Sequence, residues 1–227
     1  MFYGFDSSFL LLIPAMIFTF WAQSKVNSTY AKYAQRPTVS GVAGAEVARS
    51  LLDSAGLASV RIETTDGRLT DHYDPRTRML RLSRDNFGHP SVAALAIAAH
   101  EVGHAVQHAQ AYAPLALRNN LVPVVNLVST LAWPLFLAGF LLSNNLFLDI
   151  GIWLFVGAVA FQVITLPVEF DASRRAVAML EGGGYVQGAE GAGVRDMLQA
   201  AALTYVAATA VALSQLLRML ALRNRRR

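Results

Sequence analysis

Four long apolar runs divide the chain. Phe2–Trp21 is interrupted by a single charged residue, Asp6, and the runs Leu121–Leu142, Ile150–Val168 and Met197–Leu217 contain no charged residue at all. A helix of about 20 apolar residues crosses the roughly 30 Å hydrocarbon layer of a bilayer. The pattern therefore predicts a first transmembrane helix at 1–22, a transmembrane hairpin at 121–168, and a transmembrane or membrane-packed helix at 197–221.

Shorter periodic segments lie between the first two runs. Val42–Ala55 repeats apolar residues at helical spacing, and Gly56 is a typical helix stop. Val60–Thr64 and Arg78–Ser83 alternate apolar and polar residues, which predicts a hairpin or two short strands. An alanine-rich helix is predicted to begin near Pro90. Residues 23–120 should therefore fold as a mixed segment outside the bilayer.

Two segments are predicted as connections. Tyr30–Ser40 follows the first apolar run as a juxtamembrane linker, and the glycine-rich segment Glu181–Gly193 forms a flexible loop. The remaining predicted parts of the chain are residues 169–196, which comprise a helix and this loop, and a basic tail at 222–227.

Composition supports a membrane protein. Hydrophobic residues make up 54% of the chain and charged residues 15%, and the mean hydropathy is +0.39. These values are unusual for a soluble domain. The absence of cysteine excludes disulfides and thiolate ligands. The expected fold is mainly α and integral to the membrane, with about four transmembrane helices and a small β-hairpin or sheet on the cytoplasmic side.

The distribution of basic residues predicts the orientation. Lys25, Lys32 and Arg36 follow the first apolar run, whereas the connection Ser143–Asp149 carries no lysine or arginine. Basic loops stay in the cytoplasm, so residues 23–120 are predicted there and the hairpin connection outside. If 197–221 crosses, the terminal arginines lie outside, against this rule. The net charge is +4, but the charged residues flank the apolar runs, and this distribution does not suggest nucleic-acid binding.

The alanine-rich helix carries the motif His-Glu-Val-Gly-His. His100 and His104 are four residues apart, so both imidazoles lie on one helix face and can share a metal ion. Glu101 points about 100° away and can act as general base on a water without occupying a coordination position. His108 continues the face, but it lies about 12 Å from His100 along the axis, too far for the same ion. It is interpreted as a neighbouring or rim residue.

A third ligand is predicted after the hairpin. Two spans separate His104 from Glu169, and an even number of crossings returns the chain to the same side. Arg174 and Arg175 mark that side as cytoplasmic. Glu169 is the predicted ligand at the membrane surface, and Asp171 is the alternative. Either acid could instead serve only to favour the start of a helix. A second cluster, around His72 with Asp71 and Asp74, is interpreted as a turn rather than a metal site.

These motifs carry a family resemblance. His-Glu-Val-Gly-His followed by Glu-Phe-Asp-Ala after a membrane hairpin resembles the membrane-embedded gluzincin metallopeptidases, which include heat-shock membrane proteases and prenyl-protein endoproteases. The closer resemblance, over nearly the whole chain, is to the small bacterial membrane neutral zinc metallopeptidases (YugP-type), through residues 99–107, 167–173 and 202–206. It implies a zincin-like HExxH helix and one zinc ion. In the broader group an aspartate at the position of Ser173 orients a ligand histidine. Here that role can fall to Ser173, to Asp171 or to no residue.

The expected function is a zinc-dependent membrane endopeptidase of the EC 3.4.24 type. Zinc would be held by His100, His104 and Glu169, and Glu101 would be the catalytic base. A membrane zinc-binding or regulatory protein without turnover is the alternative, and a hydrolase of lipid or another non-peptide substrate is a third. The strand edge ahead of the motif helix favours peptide.

The expected partners are a peptide or membrane-protein substrate and the lipid bilayer, without nucleic acid. The expected location is the bacterial inner or plasma membrane, with the site facing the cytoplasm.

Overall fold

The structure is a computed structural model that describes residues 7–224. The chain divides into two compact units. We call them the apolar unit, formed by the segments up to Gln23, Leu117–Pro167 and from Leu203 onward, and the motif unit, formed by Ser24–Ala116 and Val168–Ala202. The first residues of the run Phe2–Trp21 and the last three residues of the predicted basic tail lie outside the described range.

The described residues form one short 3₁₀ turn, seven helices and three strands. The helices are α1 Ile13–Ala34, α2 Gly44–Ser54, α3 Arg84–Gly88, α4 Val92–Ala109, α5 Ala113–Leu141, α6 Asn145–Gly182 and α7 Ala189–Asn224, preceded by the turn Ser7–Leu11. The strands are β1 Arg61–Thr65, β2 His72–Asp74 and β3 Met79–Ser83.

Four helical segments are long and apolar enough to cross a membrane: Ser8–Ala34, Ala113–Leu141, Asn145–Gly182 and Ala189–Asn224. The prediction of a mainly α, integral membrane fold with about four such helices and a small sheet is therefore confirmed.

The long helices extend beyond the predicted spans. Helix α1 continues to Ala34 through half of the predicted linker, because Val26, Tyr30 and Tyr33 are buried in the core of the motif unit. Helix α6 continues to Gly182, so Glu169 lies on the same helix as the second half of the hairpin and not on a separate short helix. Apolar burial outside the lipid-crossing part stabilises these extensions.

The start of α7 also differs from the prediction. The helix begins at Ala189, inside the glycine-rich segment predicted as a loop, and only residues 183–188 connect it to α6. Val194, Met197 and Leu198 are buried in the motif-unit core, which explains why this glycine-rich stretch is helical.

The three strands form one sheet in the order β1-β3-β2. The two alternating segments are strands as predicted, but they pair in parallel, with Arg61 opposite Met79, so the hairpin alternative is wrong for them. The hairpin is formed instead by β2 and β3, which pair antiparallel with Asp74 opposite Met79. The turn predicted at Asp74-Pro75 is present, but His72–Asp74, which lead into it, form strand β2, and the sequence pattern did not reveal this strand.

In the apolar unit, α5 and α6 approach closely at glycines. A Cβ atom on Gly139 would lie 2.5 Å from the backbone nitrogen of Leu148, and one on Gly151 would lie 2.7 Å from that of Phe136. Small residues at such contacts are typical of helices that pack within a bilayer.

The far end of α7 also lies within the apolar unit. The Arg223 Nε lies 2.6 Å from Asp149 Oδ1, near the beginning of α6. Helix α7 therefore runs antiparallel to α6 along this unit. The ion pair compensates the charge of Arg223 at this end of the apolar unit.

The motif unit is built around α4. This helix packs in one core with residues of α2, the sheet, α6 and α7. Five of its alanines have no exposed surface: Ala93, Ala94, Ala96, Ala98 and Ala99. The helix begins at Val92, two residues after Pro90, because the Ser91 hydroxyl accepts a hydrogen bond from the Ala94 backbone N–H and caps the amino terminus.

Helices α4 and α6 touch backbone to backbone at Gly103, the fourth residue of the motif. A Cβ atom there would lie 2.7 Å from the carbonyl oxygen of Ala172 and 3.2 Å from its Cα. Backbone atoms cannot move aside as the end of a flexible side chain can. The identity of Gly103 thus sets the distance at which α6 passes the motif helix.

Gly103→Ala is therefore expected to destabilise the protein by about 1–3 kcal/mol, the usual cost of overpacking. The measurement is thermal unfolding of the purified protein in detergent. Gly182→Ala is the matched control, since Gly182 is also helical and no atom lies within 4 Å of the place that its added Cβ would take. Equal melting temperatures for Gly103→Ala and the wild-type protein would contradict the close contact.

Candidate metal centre

Helix α4 presents His100 and His104 on the same face. The ring centroids are 4.7 Å apart and the ring planes cross at 83°. The side chains are 14% and 12% exposed, so both rings are largely shielded while retaining some access to solvent. This is the arrangement that the four-residue spacing predicts.

Glu169 approaches both rings from α6. Its Oε2 lies 3.3 Å from His100 Nε2 and 3.6 Å from His104 Nε2, and the side chain is 2% exposed. The three potential ligand atoms lie within 4.8 Å of one another. Among residues 7–224, this is the one group of three or more histidine or acidic side chains close enough to share an ion.

The donor set fits zinc. Ligands 2.0–2.1 Å from Zn²⁺ at tetrahedral angles lie about 3.3 Å from each other, close to the two histidine–glutamate distances. Two imidazole nitrogens and one carboxylate oxygen are ligands that zinc accepts, and three protein ligands leave a fourth position open. The geometry can therefore hold a catalytic type of zinc site.

The charge of Glu169 acts on its neighbour His104. Burial lowers the pKa of His104, but the contact with Glu169 and the negative charges of Glu101 and Glu169 outweigh it, so the pKa is raised above the ordinary value of 6.5. A protonated ring cannot ligate a metal ion. Below that raised pKa, metal uptake displaces a proton from His104, so metal affinity should decrease as the pH falls.

Glu101 lies beside the histidines but outside the group of three ligand atoms. It is 8% exposed, and its carboxylate makes no hydrogen bond to another of residues 7–224. A buried carboxylate without such a bond can accept a proton from a water that lies near it.

Each histidine has a hydrogen-bonding partner at its Nδ1 atom. His100 Nδ1 lies 3.2 Å from Ser173 Oγ, and His104 Nδ1 lies 3.0 Å from Gln107 Oε1. The first contact is the one expected if Ser173 takes the orienting role, which is one of the three alternatives that the sequence left open. The contact of Gln107 was missed, although a polar residue three positions after His104 on a buried alanine-rich helix is a signal for an i, i+3 pair.

Asp171, the alternative third ligand, points elsewhere. Its Oδ2 accepts a hydrogen bond of 2.9 Å from Gln107 Nε2, and both oxygens pair with Arg174 and Arg175. It is not among the three grouped ligands. Asp171 thus reaches His104 only through Gln107.

His108 and the acids around His72 are also outside the group. His108 Nδ1 bonds to the Tyr73 hydroxyl at 3.0 Å, which links α4 to strand β2. Asp71 accepts hydrogen bonds from Ser83 and Asn86.

Asp74 completes this second cluster, accepting from the Arg76 backbone and from the Thr77 hydroxyl, which lowers its pKa. These acids organise the turn and the sheet, in agreement with their interpretation as structural residues.

Known proteins match this chain over nearly its whole length. The model of a family described as "Putative neutral zinc metallopeptidase" matches residues 8–224. The chain is 49% identical over 208 residues to a Bacillus subtilis (strain 168) protein named "Putative membrane protease YugP", covering 92% of each chain. No solved structure matches it.

The family implies zinc, and the donor set described above fits that ion. The relative's name and the four apolar helices indicate a multi-pass membrane protein. The resemblance seen in the sequence motifs is thereby confirmed: this chain belongs to the neutral zinc metallopeptidase family.

Proposed function

We propose that this protein is a gluzincin-type membrane endopeptidase in which His100, His104 and Glu169 hold one zinc ion and Glu101 is the general base. The observation that carries this proposal is the convergence of one ligand atom each from His100, His104 and Glu169 within 4.8 Å. Nothing in the spacing of the motif alone brings a residue 65 positions beyond His104 to that point.

The incomplete donor set favours catalysis over a structural role. A structural zinc site normally has four protein ligands, whereas a catalytic one has three and an open position. The group in the described residues contains three. The unligated carboxylate of Glu101 next to them has no purpose in a site that only binds metal.

The division of labour among the side chains follows from their positions. Bound zinc would supply Lewis acidity, which lowers the pKa of a water towards neutrality and polarises a carbonyl. Glu101 accepts a proton from that water and then donates it to the departing amine. Gln107 and Ser173 hold the imidazoles in place.

Strand β2 supports a peptide substrate. It is an edge strand, paired only with β3 among the described strands, and Tyr73 at its centre is tied to α4 through His108. An extended peptide can add to such an edge by backbone hydrogen bonds. The name of the Bacillus subtilis relative, a membrane protease, agrees with this substrate class.

The basic residues support a location in the bacterial cell membrane with the motif unit facing the cytoplasm. Lys25, Lys32, Arg174 and Arg175 all belong to the motif unit. This is the charge bias of cytoplasmic segments. Membrane-protein or peptide substrates would then be cleaved on that side.

The proposed activity is tested with the full chain purified in detergent, using casein and quenched fluorogenic peptides. We expect cleavage that a zinc chelator abolishes and that added Zn²⁺ restores. Stoichiometric zinc without cleavage of any peptide would favour the zinc-binding regulatory alternative. Cleavage that persists after the metal has been removed would contradict the proposed mechanism.

A further inference from the structure

Gln107 is a fully buried polar residue whose amide is used at both ends. Its side chain has no exposed surface. Oε1 lies 3.0 Å from His104 Nδ1, and Nε2 donates to the Val168 carbonyl and to Asp171 Oδ2, both at 2.9 Å. The amide thus bridges the motif helix α4 and the helix α6 that carries Glu169.

These partners determine which way the amide points. A backbone carbonyl only accepts hydrogen bonds, and so does a carboxylate that is paired with Arg174 and Arg175. The NH₂ group must therefore face Val168 and Asp171. A flipped amide would set its oxygen against two acceptors and leave both without a donor.

The direction of the amide determines the tautomer of His104. Oε1 can only accept, so His104 Nδ1 must carry the hydrogen that fills this contact. The lone pair of a neutral ring is then on Nε2, the atom that faces Glu169 Oε2 at 3.6 Å. This is the tautomer that can ligate a metal ion at that place.

His100 has no equivalent control. Its Nδ1 lies 3.2 Å from the Ser173 hydroxyl, which can either donate or accept. This contact orients the ring but is compatible with both tautomers. The two histidines of the motif are therefore held differently.

We propose that Gln107, itself oriented by Asp171 and Val168, is a positioning residue that keeps His104 in the Nδ1–H tautomer and so prepares Nε2 for the metal. The inference rests on the proposed metal site and goes beyond its ligand set. Loss of a residue that supports a metal-ligating histidine typically weakens metal affinity by about 10- to 100-fold.

The first test is zinc affinity, measured by competition with a chromophoric chelator. Gln107→Met keeps an unbranched side chain of similar size but removes both hydrogen-bonding ends. We expect about 10- to 100-fold weaker binding. Gln187→Met is the matched control, since Gln187 is exposed in the connection between α6 and α7. Wild-type affinity in folded Gln107→Met would overturn the proposal.

A rescue experiment separates positioning from packing. Gln107→Glu keeps the acceptor for His104 but puts a second carboxylate against Asp171, so affinity should fall. Adding Asp171→Asn provides an amide donor to the new carboxylate and restores the hydrogen bond between positions 107 and 171 in the reverse direction, whereas the Val168 carbonyl stays without its donor in both variants. The double variant should bind zinc at least about tenfold more tightly than Gln107→Glu alone. A double variant no better than Gln107→Glu would count against the proposal.

A measurement on the unaltered chain does not depend on any variant folding. In the metal-free protein at mildly alkaline pH, two-bond proton–nitrogen NMR spectra of the histidine rings distinguish protonated from unprotonated ring nitrogens. His104 should show the hydrogen on Nδ1. A hydrogen on Nε2 would overturn the inference even if zinc binds, whereas failure of the wild-type chain to bind zinc would overturn the proposed function instead.

Discussion

Glu101→Gln should reduce peptide hydrolysis by about 10²- to 10⁴-fold while leaving zinc bound. This range is the usual contribution of a general acid–base group, and corresponds to about 3–5 kcal/mol of transition-state stabilisation. Glutamine has nearly the same size and shape as glutamate but cannot accept the proton of the water. Because Glu101 lies outside the three grouped ligand atoms, metal retention should not require its charge.

The measurement is kcat/KM on a fluorogenic peptide together with the zinc content of the same preparation. Glu46→Gln is a suitable control, because Glu46 is an exposed glutamate in the first turn of α2 in the same unit. It should keep both zinc and activity. If Glu101→Gln cleaved peptide as fast as Glu46→Gln, with the same sensitivity to chelator, another group would have to be the base.

Much of this site could be predicted because helix geometry is local. The spacing of His100 and His104 places both rings on one face whatever surrounds the helix. The approach of Glu169 followed from counting spans, since a hairpin returns the chain to its starting side. Both arguments need only the sequence, and the structure brings the three side chains together.

What the sequence could not reveal depends on contacts between distant segments. The parallel pairing of β1 with β3 and the three-residue strand β2 are determined by partners, because so short a polar segment has no pattern of its own. The role of Gln107 likewise requires knowing that Val168 and Asp171 of α6 lie against it. The continuation of α6 past the bilayer depends on burial of Ala172, Ala176 and Leu180 in the motif unit.

The two acids that follow the hairpin have been assigned different roles, and the difference can be measured. Glu169 contacts the Nε2 atom of each histidine directly, whereas Asp171 acts through Gln107. Asp171→Ala should therefore weaken zinc binding by about 10- to 100-fold, as expected for a residue that supports a metal ligand without touching the metal. Glu169→Ala should weaken it further, so that the purified protein contains almost no zinc and has no activity.

Glu169→Gln tests the same ligand without the loss of side-chain volume that could unfold the Glu169→Ala protein. The substitution keeps the volume of a side chain that is almost entirely buried, and it removes a charge that the contacts with His100 and His104 stabilise in the metal-free protein, where, against the effect of burial, they hold the pKa of Glu169 below its usual range. The metal-free variant should therefore still unfold cooperatively, at a somewhat lower melting temperature than the metal-free wild-type protein, although zinc is lost. If instead Asp171→Ala lost zinc completely and Glu169→Gln retained it at wild-type affinity, the third ligand would have to be Asp171. The motif unit would then have to rearrange, because in this structure the arginines and Gln107 already occupy that carboxylate.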